Sequence, residues 1–312
     1  SVHFVPQPLD KENWDKWTIA AYCTNVVDIP VDAKLSVVGS SGITLSAETQ
    51  AIQNLEPGAT KVLYFDVSEL PKAVGAAATF ALETNGKKTN IDRVLNFSAC
   101  VNDGITPEID GVLSPGEWDG CQVITDTTNT DSYRSSNITG ASDCSWKIYR
   151  KWDNEYFYMA VDVTDDVFYQ AWSGSDVYMG DNLQVALDPG RKEGIGLDST
   201  EYFELGITRD PEKESVIAWA WYADLVVKKD REVPSCVGKT SRTEDNHTIY
   251  EFKIPWGFFK EIPTVNEYDM IGFSFCVNDN DGSGRKNGGS YMNGIADGKN
   301  TNSFEDMVLI KK

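Results

Sequence analysis

From Tyr156 to Asp166 the side chains alternate with a period of two, Tyr156, Tyr158, Ala160 and Asp162 against Phe157, Met159, Val161 and Val163, and the run stops at Asp165-Asp166. That period belongs to a strand with two different faces. An aromatic loop follows through Tyr169, Trp172 and Tyr178, and a second strand then runs from Asp181 to Pro189. The segment Trp146–Pro189 therefore points to sheet, with aromatic rings and acids gathered at the sheet margins.

The same punctuation extends over the rest of the chain. Short apolar runs at Thr18–Tyr22, Lys34–Val38 and Lys61–Val67 are separated by turn formers at Gly39, Ser41-Gly42, Pro57-Gly58 and Asn85-Gly86, the pattern of a small sandwich of immunoglobulin type. Leu45–Val67 resembles the immunoglobulin-like spacer domains that stand beside catalytic modules in secreted glycosidases. The turn-rich run Val101–Pro107 sets a boundary near residue 103. The expectation is all-β, with two β-sandwich domains at 1–102 and 103–312. Helix is scarce, with a single turn expected near Trp256–Phe259 just after Pro255. Longer loops are expected at 125–145, 164–181, 189–200 and 279–303.

A formal charge of −20 opposes nucleic acid and anionic lipid as partners. Residues 1–102 hold 8 basic and 11 acidic side chains, net −3, so −17 belongs to the remainder. No apolar run approaches the roughly 18 to 20 residues that a membrane helix needs. The chain opens Ser1-Val2-His3-Phe4 without a leader, as expected of a mature product or a piece of a longer chain, secreted or on the cell surface and covalently linked to further domains. Six cysteines with no C-x-x-C pair, and only two histidines, are poor material for zinc. They permit 15 disulfide connectivities, among them Cys121–Cys144 with Cys236–Cys276; a reduced, buried set is the alternative. N-x-S/T sequons at Asn96, Asn137 and Asn246 are about as many as chance supplies.

In order, Ile109-Asp110-Gly111, Glu117-Trp118, Trp152-Asp153 with Tyr156 and Tyr158, Asp165, Asp181–Asp188, Glu251–Trp256 and Gly272-Phe273 through Asp281-Gly282 resemble the family 9 carbohydrate-binding modules. The likeness covers about residues 105–312. It implies a jelly-roll-like sandwich, structural calcium in loops, and no catalysis, with a sugar held between two aromatic rings. The partner would be a plant cell-wall type glycan or its ends.

A sugar ring carries an apolar C–H patch on each face, and covering about 100 Å² of it is worth about 2–3 kcal/mol at ~25 cal/mol/Å². Two faces alone give an affinity near millimolar, so a polar rim is needed as well. By resemblance Tyr178 is the platform, where family members carry Trp, and Trp172 is its rival in the same loop. Gln184 stands where those members place a Glu, and Arg285, Tyr291 and Asn293 are offered from the loop after Asp281. The late Trp expected before the final strand is missing, since no aromatic lies between Ile295 and Phe304. Trp219 and Trp221 share one face of a strand, either as a stacking strip or as core. Trp118, Trp146, Trp152 and Trp256 read as core.

Calcium takes six to eight oxygens. Asp279-Asn280-Asp281-Gly282-Ser283-Gly284 looks like the front of an EF-hand loop, but the twelfth position is Ser290 rather than Glu. Asp279 and Asp281 are one candidate pair of ligands, with an ordinary acidic hairpin turn as the alternative. Glu117 and Asp165, which resemble the positions that meet at the family's structural ion, are the other. Competing functions are a structural or adhesive sandwich with a degenerate sugar site, a hydrolase, and a haem domain. The last would rely on His247 or on Met159, Met179, Met270, Met292 or Met307 as axial ligands. No nucleophile motif or phosphate loop supports an enzyme.

Overall fold

The computed structural model describes every residue except 47, 72–75, 128–136, 190, 192–201, 211, 223–230, 260–263, 286–287 and 297. The loops expected at 125–145, 189–200 and 279–303 therefore lie partly outside the described residues. The chain is all-β and divides into two compact units, Ser1–Phe97 and Ser98–Lys312. The boundary thus precedes Ser98 rather than following Asn102. Ser98–Asn102 looks like the last N-terminal strand because turn formers follow it, but it hydrogen-bonds within the second unit.

The first unit contains β1 (Val2–Pro8), β2 (Trp17–Thr24), β3 (Val31–Ser41), β4 (Thr44–Leu45), β5 (Gln50–Leu55), β6 (Thr60–Glu69), β7 (Ala76–Thr84) and β8 (Lys87–Leu95). They form two four-stranded sheets, β1-β2-β6-β4 and β5-β3-β7-β8. Phe4, Ile19 and Phe65 of the first sheet meet Leu35, Ile52 and Phe80 of the second in one core, and Phe4 stacks on Phe80 at 4.2 Å. The three strands expected here lie inside β2, β3 and β6. Asn85 and Gly86 both take positive φ, as a two-residue hairpin between β7 and β8 requires.

The second unit runs through β9 (Ser98–Asn102), β10 (Ile124–Thr125), β11 (Cys144–Trp152), β12 (Tyr156–Asp165), β13 (Asn182–Asp188), β14 (Phe203–Asp210), β15 (Ser215–Tyr222), β16 (Arg231–Glu232), β17 (Val237–Arg242), β18 (His247–Pro255), β19 (Met270–Asn278), β20 (Gly289–Tyr291) and β21 (Glu305–Lys311). Its hydrogen bonding follows the order β11-β12-β18-β17-β15-β14-β13-β19-β21-β9, and β9 pairs back to β11. Where separate sandwich sheets were expected, ten strands make one barrel-like sheet. The closing strand β9 is parallel to both neighbours. Phe157, Met159, Val161, Phe252, Phe273, Phe275 and Leu309 are fully buried within this unit. Trp118, Trp146, Trp152 and Trp256 are also buried, as read from the sequence.

Tyr158 and Ala160, on the opposite face of β12, are buried as well, because the segment before β10 folds across them with Trp118. Glu251 fastens that segment: its carboxylate accepts from Trp118 Nε1 at 2.7 Å, and from the backbone N–H groups of Asp110, Gly111 and Val112 at 3.2, 2.8 and 3.2 Å. Gly111 has φ +87°, and a Cβ there would lie 3.0 Å from the Thr240 carbonyl carbon. The sequence signals Ile109–Gly111, Glu117-Trp118 and Glu251 are thus parts of one clamp.

At the closure of the ring, Arg150 of β11 is fully buried and pairs with Glu305 of β21. Its Nη2 donates to Ser98 Oγ of β9 at 2.7 Å, its guanidinium lies 4.7 Å from the Phe273 ring centre, and Tyr291 of β20 donates its hydroxyl to Glu305. Removing one partner of a buried pair strands the other charge, at about 3–5 kcal/mol. Glu305→Ala should therefore lower unfolding stability by about that amount in urea titration of the full chain, while the pair replacement Arg150→Met/Glu305→Leu should recover most of the loss. Equal destabilisation by single and double variants would argue against the closure role.

Candidate functional site

One face of β14, β13 and β19 is polar. Register places Gly206 opposite Gln184, Gln184 opposite Cys276, and Asn182 opposite Asn278, so these side chains share a face, with Leu183, Val185 and Ile207 on the other. Asn278 Nδ2 donates to Asn182 Oδ1 at 2.7 Å and to Gln184 Oε1 at 2.9 Å. Cys276 Sγ also approaches Gln184 Oε1, at 3.2 Å, and Gln184 Nε2 donates to Glu204 Oε1 at 3.1 Å. The Gln184 amide is therefore engaged at both ends within the protein.

Trp219 and Trp221 lie on this same face, half-buried rather than in the core. Space for them comes from Gly206, where a Cβ would overlap the Trp221 ring and sit 2.8 Å from Val177 Cγ1. Trp221 Nε1 donates to the Ser175 carbonyl at 2.9 Å. Tyr178 sits in the 3₁₀ turn Gly174–Met179, edge-on to Trp221 with ring centres 6.2 Å apart. The guanidinium of Arg285 lies 5.2 Å from the centre of the Tyr178 ring, and its Nε donates to Asn278 Oδ1 at 2.8 Å. Trp172 packs edge-on against Tyr169 at 5.9 Å. The aromatic loop is pinned by Gln170, which donates to the carbonyls of Val177 and Asp181 at 2.9 and 3.1 Å and accepts from Trp172 N at 2.9 Å.

The structure thus brings together Tyr178, Gln184, Trp219, Trp221 and Arg285, with Trp172 at the rim of the same loop. Two expected residues fall elsewhere. Tyr291 is 5 % exposed, because its pairing opposite Phe275 and its bond to Glu305 hold the ring inside; it cannot be a platform. Asn293 is exposed and makes no hydrogen bond to the others. Sequence reasoning passed over Asn182, Asn278, Glu204 and Lys299. The alternation Phe203–Arg209 puts Glu204 and Gly206 on one face and could have signalled Glu204; Lys299 has no local signal.

Glu204 is buried, its carboxyl pushed up by burial and held back by Lys299. All six cysteines are buried and none is in a disulfide, so neither expected bridge is formed.

Beside this face lies an acid cluster. Carboxylate oxygens of Asp143, Asp279 and Asp281 lie within 4.8 Å of one another, as do those of Asp165, Asp166 and Asp281. Asp181 accepts from the backbone N–H groups of Tyr169 and Asn280. Burial and the neighbouring Asp165 charge push its carboxyl up to about 9. Glu117 does not join them. Its two oxygens accept from the backbone of Glu108 and Ser114, both at 3.1 Å, and staple its own loop.

Residues 109–312 match the family described as "Carbohydrate family 9 binding domain-like". The chain belongs to this family. Its members are non-catalytic carbohydrate-binding modules. Among solved structures, a family 9 module from Caldicellulosiruptor kristjanssonii in complex with cellotriose superposes with a TM-score of 0.50 at 16% identity, covering 69% of this chain and 94% of its own. The same organism's module in complex with glucose gives 0.48 at 16% identity, with 69% and 97% covered. At that identity the likeness establishes the fold. No curated protein matches the chain.

In this family 9 domain, Gly206→Ala is expected to push Trp221 off the sheet. The observable is a changed tryptophan emission maximum and near-ultraviolet dichroism with far-ultraviolet dichroism preserved; unchanged spectra would mean the ring does not depend on that glycine.

Proposed function

We propose that the second unit binds an oligosaccharide or polysaccharide non-catalytically, with a sugar lying against the Trp221–Tyr178 ledge and bonded to the polar face beneath it. The observation that carries this reading is the convergence of two half-buried rings, Arg285 and an amide network on one outward face of a rigid sheet. The cellotriose-bound family neighbour makes a β-linked plant cell-wall glycan, or its chain end, the first candidate. The two four-stranded sheets of the first unit suit an immunoglobulin-like spacer, and the whole suits an accessory part of a secreted or surface-attached modular glycosidase. The missing late Trp keeps the structural or adhesive sandwich as the alternative.

Tyr178→Ala and Trp221→Ala should each weaken binding at least tenfold in affinity gels or calorimetry while leaving the unfolding transition in place, since one stacked face is worth about 2–3 kcal/mol. Absence of binding to every plant, microbial and host glycan on an array would favour the structural alternative.

Calcium is proposed as the structural ion. The acid cluster offers only hard oxygen donors, with Asp143, Asp165, Asp166, Asp279 and Asp281 as its ligands and Asp181 holding the two loops together. The ion would neutralise mutual repulsion among these carboxylates. Without it, the folded protein keeps a proton on Asp181 that the unfolded chain releases near 3.8. Folding then takes up a proton between about pH 4 and 9, so stability in chelator should fall as pH rises through that window. Calcium should abolish or reverse this slope, because its ligands are deprotonated. Identical pH profiles with calcium and with chelator, in urea titrations at pH 5 and 8, would exclude the ion.

A further inference from the structure

We infer that Tyr169, braced by Trp172, is a second stacking platform on the rim of the ledge, so that the ligand is a glycan chain of several sugars bound along its length rather than by one terminal sugar. This deepens the sugar-binding reading above and rests on it. Tyr169 is 40% exposed, the most open aromatic ring of the second unit among the described residues. Its ring is nevertheless fixed. One side packs on Gly282, where a Cβ would lie 3.8 to 4.0 Å from three ring atoms, and Trp172 meets it edge-on at 5.9 Å. Its backbone is held twice by Asp181, whose carboxylate accepts from Tyr169 N and whose own N–H donates to the Tyr169 carbonyl at 3.0 Å. The exposure therefore belongs to the side of the ring turned away from Gly282. A ring already ordered by the fold and open to water on one side gives up little entropy when a sugar stacks on it.

The two platforms belong to one rim. Gly282 lies against Tyr169, and the guanidinium of Arg285 lies 5.2 Å from the centre of the Tyr178 ring. These two residues are neighbours on one loop, and three steps of chain span at most about 10 Å between their Cα atoms. Gln170, next to Tyr169, donates to the carbonyls of Val177 and Asp181 and so ties this end of the aromatic loop to the turn that carries Tyr178. Neither platform is a clamp. Tyr178 and Trp221 touch edge-on at 6.2 Å and 70°, which leaves no slot for a sugar between parallel rings, and Tyr291 is sealed inside. A ligand therefore gains here by lengthening, with a second sugar on the second ring, and not by offering both faces of one sugar. A second single-face contact of about 100 Å² is worth about tenfold or more in affinity. Because both sugars belong to one chain, the second stacking event is intramolecular.

The test titrates the full chain by calorimetry with cello- and xylo-oligosaccharides of one to six units. Affinity should rise about tenfold or more from the disaccharide to the longer members and then level off, a larger gain than the few-fold that extra binding registers supply. Borohydride reduction of the end sugar of the hexasaccharide should change its affinity less than about threefold, because the chain is held along its length. Tyr169→Ala should remove the rise with length and Tyr169→Phe should keep it, with the urea unfolding transition in place, since Asp181 anchors the backbone and not the ring. An affinity that is flat with length, or a rise that survives Tyr169→Ala, while Trp221→Ala still abolishes binding, would overturn the second platform and leave the first ledge standing. Loss of hexasaccharide binding on reduction of its end sugar would overturn binding along the chain, and this arm and the length series are both read in the unaltered protein. Binding of no member of either series would remove the β-linked glycan reading of the ledge and this inference with it.

Discussion

The second unit depends on the ion pair that closes its ring. Arg150, Glu305, Ser98 and Tyr291 come from four strands drawn from both ends and the middle of the unit, and they meet where β9 joins β11 to β21. Taking two charges fully out of water is expensive, and the geometry repays it only when the remaining donors and acceptors are satisfied. Here both Glu305 oxygens accept, Arg150 Nη2 donates to Ser98, and the Phe273 ring covers the guanidinium, which leaves Arg150 Nε alone in the group without a hydrogen-bond partner among the described residues. Apolar packing alone would tolerate a slipped β9, since Ala99, Cys100 and Val101 are all small and buried. The charged contact allows only one register, and in this way it fixes a parallel strand that has no hairpin to guide it.

The signals most legible in the sequence proved to be architectural. Alternation located β12, the second strand read at Asp181–Pro189 is β13 (Asn182–Asp188), and Pro255 marked the start of the short turn Trp256–Phe258. The family motifs Asp110-Gly111, Trp118 and Glu251 are parts of the clamp, in which one buried carboxylate gathers three backbone N–H groups and an indole. Such residues are readable because each needs a particular side chain at a particular spacing. The closure of the ring was not readable, since β9 to β21 is a contact between the two ends of the unit and leaves no local periodicity. The domain boundary was misplaced for the same reason.

The proposed binding face was legible in part. Tyr178 was a candidate by the family resemblance, Trp219, Trp221 and Arg285 by residue type and placement, and the fold brings them together. Tyr291 failed because an aromatic residue in a three-residue strand gives no hint of which side it faces, and its partner Glu305 lies on another strand, β21, that also pairs with β19. Glu204 and Asn278 escaped notice because buried polar residues acquire their meaning only from partners on adjacent strands. Gly206 illustrates the converse: a missing side chain on β14 creates the space that the Trp221 ring fills, a role invisible until the neighbouring strand is in place.

The ledge and the acid cluster share backbone, and this has a mechanical consequence. Asp181 ends the aromatic loop immediately before β13; its carboxylate accepts from Tyr169 N on one side and Asn280 N on the other, while Asn280 Nδ2 donates to the Met179 carbonyl at 2.6 Å. The loop bearing Tyr178 and the loop bearing Arg285 are therefore tied through one side chain, next to Asn182 and Asn278 that floor the face. Whatever fixes the charge on Asp181 also fixes how firmly Arg285 and Tyr178 are held against each other. Stacking a sugar on a mobile ring forfeits part of its gain to ordering entropy. Under the proposed binding reading, a cluster that looks merely structural bears on affinity, because its acids tie together the two loops that carry the ledge.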